Sequence, residues 1–276
     1  MLSPREAKAK IRTVRNLQQI CRAMKTVASI RLRRAEARLA AARPYHDEIA
    51  GLVARVAAVT QEHPFLQARP VGTVGLVVVT SDRGLAGGYN ANAVRRARLT
   101  AGASHAAVIP VGRRGQAQLA ARGYRILEGL VPLGGEPELP AVWRLAGRLG
   151  EWYVNGTVDQ VVIVYSRFLG GTRSEVTSEV LLPIVAAPEM AREAIFEPAP
   201  TLLLGGLMDR YLRSQLLAAI LEASASEHGA RVAAMTNASD NAEEMIRTLT
   251  LDYNKARQAA ITRELGEIVS TSEATA

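Results

Sequence analysis

"IRTVRNLQQICRAMKTVASIRLRRAE", residues 11 to 36, lies inside a stretch from Arg5 to Arg43 that holds neither glycine nor proline. Ala, Leu, Arg and Gln dominate it, and all are good helix formers, so the stretch reads as one long helix. Apolar or small residues recur at Ile11, Val14, Leu17, Cys21, Met24, Ala28, Leu32, Ala35, Leu39 and Ala42. These steps of three and four define a single stripe along one helix face. Pro44 can kink the helix, but the pattern resumes from Glu48 to Thr60. The expectation is a helix of about 60 residues, about 90 Å at 1.5 Å per residue. No globule made by a chain of 276 residues buries such a helix along its whole length.

The other end of the chain mirrors the first. No proline follows Pro200, and from Leu202 to Val269 the glycines are Gly205, Gly206, Gly229 and Gly266. Ala238, Ala242, Met245, Leu249, Tyr253, Ala256 and Ala260 continue a seven-residue alternation. Two long helices at the two ends, each with a narrow seam of small side chains, predict an antiparallel coiled coil.

Between them the period changes. Val74–Thr80, Ala106–Val111, Tyr124–Leu130 and Gln160–Arg167 are short β-rich runs, and Thr172–Ile184 adds a last alternating strand. Helical stretches at Asn92–Leu99, Gln116–Arg122 and Pro140–Tyr153 separate them. Strands alternating with helices indicate a small, mostly parallel, Rossmann-like α/β sheet. The expected fold class is therefore α/β, a coiled coil of the two terminal helices plus a central α/β domain. The expected parts are residues 1–62, 70–198 and 201–272.

Composition narrows the function. No apolar run approaches the roughly 18 to 20 residues of a membrane helix, so no span is expected. Met1 to Lys8 has charges and no apolar core, which argues against a secretory signal, and only Ser3 and Ser29 fall in the first forty residues, which argues against a transit peptide. One cysteine, Cys21, excludes an internal disulfide and any Cys-x-x-Cys site. The net charge of +8 is uneven: residues 1–43 carry twelve Lys or Arg against Glu6 and Glu36. A partner of negative charge is expected to meet that segment. Nucleic acid is one such partner, but no aromatic side chain interleaves the cations before Tyr45, so the stacking platform that would hold bases is missing.

The run "VGLVVVTSDRGLAGGYNANAVRRA", residues 74 to 97, passes from a strand through a glycine turn into a helix, the form of a phosphate site. Gly84, Gly87 and Gly88 fit neither G-x-G-x-x-G nor the P-loop spacing. No Asp or Glu stands between Asp82 and Glu128 to hold a ribose, and the only lysines are Lys8, Lys10, Lys25 and Lys255. A tight turn needing positive φ fits better, although it gives Asp82, Arg83 and Asn90 no role. His46, His63, His105 and His228 are far apart, none has a second ligand at helical spacing, and no G-x-S-x-G occurs, so no metal, cofactor or catalytic residue is expected.

Four stretches together resemble the gamma subunit of F-type ATP synthases: residues 11–36, "SDRGLAGGYNAN" (81–92), "LLAAILEASASEHGARVAAMTNASDNAEEMI" (216–246) and "LDYNKARQAAITRELGEIV" (251–269). Their order and spacing cover essentially the whole chain. The resemblance implies a rotor shaft, peripheral on the cytoplasmic face of a bacterial plasma membrane. Its two helices would wind inside a ring of three alpha and three beta subunits. The α/β domain would rest on the membrane c-ring and contact epsilon, with ATP chemistry on beta and no nucleotide on this chain. Carried over by motif, the subunit-contact residues are Met24 and Lys25 on the first helix, Arg83, Gly84 and Leu85 in the turn, and Arg231, Arg257, Gln258, Thr262 and Glu264 on the second helix. The chain departs from the family at Asn16–Cys21, where N-T-x-K-I-T is common, and at Ala86, where Cys often stands. It lacks the cysteine-containing insertion of chloroplast members, so thiol control is not expected.

Overall fold

The computed structural model describes residues 3–60, 62–102, 105–133, 137–184 and 199–275. Contacts divide the chain into two compact units, Met1–Val27 with Val232–Ala276, and Ala28–Arg231. The end of the expected 70–198 part lies outside the described residues.

Helix α1 runs unbroken over Pro4–Val59, with Pro44 inside it. Its first turn has a reciprocal cap in which Ser3 Oγ accepts from the Glu6 N–H and the Glu6 carboxylate accepts from the Ser3 N–H. Burial along α1 follows an alternation of three and four residues from Ala7 through Ile11, Cys21, Ala28, Leu32, Ala35, Leu39, Ile49 and Val53 to Val56. Helix α5, Pro200–Thr275, also runs without a break through its four glycines.

Two expected seam residues are corrected. Leu17 is 54% exposed, and its neighbour Gln18 takes the seam position, 8% exposed, donating to Ser239 O at 3.4 Å. On α5, Met245 is 54% exposed, and the buried register is Met235, Ser239, Ala242 and then half-buried Ile246. The polar Gln18 follows Leu17 by one position, and a search for apolar residues at helical spacing selects the wrong one of the two. In the first unit Gln18 meets Ser239, and Ala9 to Val14 form a shallow groove with Met245 and Leu249. In the second unit Leu32 and Ala35 pack on Ala225, while His46 meets Ser214. As one helix number rises the other falls in each unit, so the pairing is antiparallel.

The α/β part belongs to the second unit. Its elements are β1 (Thr73–Val79), α2 (Tyr89–Ala101), β2 (His105–Val111), α3 (Arg113–Ala120), β3 (Arg125–Ile126), α4 (Leu139–Val154), β4 (Gln160–Gly170) and β5 (Arg173–Leu182). The sheet order is β3-β2-β1-β4-β5, with β5 alone antiparallel. Strand β1 is buried on both faces, as parallel strands under helices are. Val77 and Val79 face α4, the end of α1 and the start of α5. Val74, Leu76 and Val78 face α2 and α3. The expected strand Tyr124–Leu130 shrinks to Arg125–Ile126 plus a single bridge from Leu130 to Val111. Pro110 in β2 has no N–H to extend the ladder there.

Candidate functional site

The turn from β1 to α2 is built by its own polar side chains. Thr80 Oγ1 accepts from Gly115 N at 2.9 Å, tying the end of β1 to α3. The Ser81 N–H donates to Asn90 Oδ1 at 2.9 Å, and Asn90 Nδ2 donates back to Ser81 Oγ at 2.8 Å. Ser81 Oγ in turn donates to Arg83 O at 2.6 Å. Asp82 Oδ1 accepts from Arg113 N at 2.9 Å and Leu133 N at 3.2 Å. Its carboxylate therefore stands at the N-terminus of α3, where free N–H groups and the helix dipole favour an anion. Asp82 and Asn90, which the tight-turn reading left without a role, are the residues that shape the turn. Leu85 at φ +63° and Gly87 at φ +55° carry the reversal. The tip that results exposes Arg83 and Leu85, the latter 60% exposed.

Helix α5 meets this turn with a buried charged cluster. Arg231 is 7% exposed, so it is no ordinary surface charge. Its Nη2 donates to Glu227 Oε1 at 2.5 Å and reaches Gly84 O at 3.4 Å. Its Nη1 lies 3.2 Å from His228 Nδ1. Tyr89 OH donates to Ala223 O at 3.0 Å, a second tie between turn and helix. Burial pushes the Glu227 carboxyl up, with the Arg231 and Arg31 charges opposing and Asp82 adding. Burial, then Arg231, then Arg31, pushes His228 down to about 4. His228 is therefore neutral at pH 7 and accepts from Arg231 at Nδ1, with its proton on Nε2. A cleft of about 250 Å³ opens beside the cluster, walled by Arg31, Asp82, Arg83 and Arg113 among others. It lies at the carboxyl ends of the parallel strands, where open α/β sheets present their loops.

The structure thus brings Arg83, Gly84, Leu85 and Arg231 into one site. The other expected residues belong to the first unit. Met24 and Lys25 are half-buried on α1. Arg257, Gln258 and Thr262 are exposed on α5, and the side chain of Glu264 lies outside the described residues. Sequence reasoning missed Tyr89, Glu227 and His228. The Glu227–Arg231 spacing of four is a helical ion-pair signal that can be read in advance, whereas the tie of Tyr89 to Ala223 crosses 134 residues and leaves no local trace. Among the described residues, no group of three or more His, Cys, Asp or Glu could hold a metal ion, and no helix is long and apolar enough to cross a membrane.

Two long terminal helices and a five-stranded, mostly parallel sheet place the chain in the mixed α/β class. The family described as ATP synthase matches residues 3–275. The chain is 44% identical over 281 residues to the ATP synthase gamma chain of Moorella thermoacetica, covering 99% of both. It is 40% identical over 284 residues to that of Heliobacterium modesticaldum, covering 98% of both. In fold it is similar to a chain of the Euglena gracilis mitochondrial ATP synthase OSCP/F1/c-ring assembly, with a TM-score of 0.70 at 20% identity over 99% of this chain and 94% of that one. The chain belongs to the ATP synthase gamma chain family.

Proposed function

We propose that the chain is the central rotor shaft of a bacterial F-type ATP synthase, coupling ion-driven rotation of a membrane c-ring to ATP synthesis or hydrolysis on beta subunits. It is not itself catalytic. Its partners are three alpha and three beta subunits, epsilon and the c-ring, and it is held at the cytoplasmic face of the plasma membrane only through them. The division of labour follows residues 1–62 and 201–272 as shaft and 70–198 as foot. Near-full-length identity of 44% to a bacterial gamma chain carries this reading.

The residues proposed to contact the beta subunits as the shaft turns are Met24, Lys25, Arg83, Gly84, Leu85, Arg231, Arg257, Gln258, Thr262 and Glu264. Exposure of Arg83, Leu85, Arg257, Gln258 and Thr262 supports a surface role for those five. Contacts of this kind must be weak one at a time, because a rotor leaves each beta subunit in turn. Exposed ion pairs worth about 0 to 1 kcal/mol each meet that need.

The test is co-expression of the tagged chain with alpha, beta and epsilon subunits. A complex with ATPase activity is expected, while the isolated chain titrated with Mg-ATP in a calorimeter gives no binding heat. Failure to assemble, or a saturable micromolar ATP site on the isolated chain, removes the reading.

A further inference from the structure

The tip of the β1–α2 turn exposes Arg83 and Leu85 and carries left-handed backbone at Leu85 and Gly87, with Ala86 between them buried. Besides the Ser81–Asn90 and Asp82 bonds described above, two polar ties join the turn to α5: Arg231 Nη2 to Gly84 O, and Tyr89 OH to Ala223 O. Ala223 and Arg231 stand eight residues apart on α5, about 12 Å at 1.5 Å per residue. Gly84 and Tyr89 are five residues apart on the turn. Two separate attachment points prevent the turn from pivoting about either one.

We propose that Glu227, His228 and Arg231 form a clasp that fixes the Ser81–Tyr89 turn to helix α5, making Arg231 a positioning residue for the exposed Arg83–Leu85 tip. Among the described residues, the bonds of the guanidinium all serve this purpose. Glu227, one turn back, holds Nη2 at 2.5 Å, and His228 lies against Nη1 at 3.2 Å. With the planar fork held on both sides, one N–H remains directed at the Gly84 carbonyl. A lysine has no fork and cannot serve these partners in one geometry. Glu227 and Arg231 also depend on each other, since removing one leaves the other as an uncompensated buried charge. The mechanical consequence rests on the rotor reading above: a tip already ordered on the shaft meets each beta subunit without the entropic cost of being ordered at every encounter.

The experiment follows amide hydrogen exchange in the isolated chain and ATPase turnover in the assembled complex. The double variant Glu227→Gln with Arg231→Met removes both charges together and leaves no unpaired buried ion. It is expected to keep exchange in β1 and β2 unchanged, while the Ser81 and Tyr89 amides exchange about tenfold faster, the factor for losing about 1.4 kcal/mol of a charge-assisted bond. Arg231→Lys should recover only part of the protection. Tyr89→Phe, which deletes only the second tie, should raise exchange in the same segment and serves if the double variant fails to fold. Unchanged exchange of the turn in folded variants overturns the clasp. Faster exchange of the turn with full turnover per assembled complex overturns its role in rotation. If the wild-type chain does not assemble at all, the rotor reading fails instead, and the exchange result still decides the clasp.

Discussion

Leu85 occupies left-handed backbone at φ +63°, a conformation that costs a branched aliphatic residue about 1 to 2 kcal/mol. Its side chain is mostly exposed, so little burial offsets that cost within the chain. Leu85→Asn suits the same backbone better and is expected to raise stability in urea by about 0.5 to 1 kcal/mol. The same variant should lower turnover of the assembled complex if the exposed leucine packs on a partner. His228 supplies a second test. Its folded pKa of about 4 lies below the ordinary 6.5, so the stability it contributes is complete above pH 6.5 and is lost as pH falls toward 4. The groups facing it are Arg231 on its own helix and Arg31 on α1, both cations that resist its protonation. Glu227 acts in the opposite sense, because its raised pKa lets the folded state bind a proton earlier as pH falls. Comparison with His228→Gln, which keeps an acceptor and removes the titration, isolates the histidine. Wild type should lose on the order of 1 kcal/mol more than the variant between pH 7 and 4.5 in thermal melts. In the sequence, His228 was visible only as an isolated histidine, since the arginines that set its protonation include one 197 positions away.

Elements were more legible than residues. The absence of glycine and proline over 5–43, and the alternation of strand and helix over 73–182, place nearly every element, because period and punctuation are local properties. What was not local was lost. Apolar periodicity places Leu17 in the α1 seam, yet Gln18 lies in it. Hydrophobicity alone cannot tell which of two adjacent positions faces a partner helix. Helix α5 continues through Gly205, Gly206, Gly229 and Gly266 despite a propensity cost of about 1 kcal/mol per glycine. At Gly229 the packing itself wants glycine, because a Cβ there would stand 2.6 Å from Gly171 O in the β4–β5 turn. Gln18 also yields a prediction. Its 3.4 Å bond goes to a carbonyl already inside helix α5, so replacing it strands no buried donor or acceptor. Gln18→Leu should therefore stabilise the first unit by about 1 kcal/mol through added apolar burial, measured as a higher thermal midpoint. The expected loss is of register, since one polar seam residue discriminates against slipped pairings. A lower midpoint would mean that the Gln18–Ser239 bond outweighs the apolar gain.

At the scale of the whole molecule the question is how, on the proposed function, force passes between this chain and its partner subunits. The basic excess of residues 1–43 gives attraction without commitment, because exposed pairs are screened over about 8 Å at physiological salt. Such a field biases an angle but cannot define one. Definition needs at least one directional contact, and "NKARQAAITREL" is where the proposed function puts it. Arg257 and Gln258 are both exposed on α5 and make no hydrogen bond or ion pair among the described residues. A hydrogen bond to a charged group there falls between two failures: too weak to couple shaft angle to closure of a beta subunit, or too strong to break three times per turn. Losing such a bond costs about 1.5 to 3 kcal/mol. At 1.36 kcal/mol per decade this is roughly ten- to a hundredfold in turnover if the contact stabilises the rate-limiting state. The double change Arg257→Ala with Gln258→Leu keeps two good helix formers on a helix surface, so assembly and helix content should persist. ATPase turnover of the reconstituted complex is expected to fall within that range, and single-molecule rotation should show longer pauses at one angle per third of a turn. Full turnover in a correctly assembled variant would mean that the shaft transmits torque without this contact, through the collective field and the clasped turn alone.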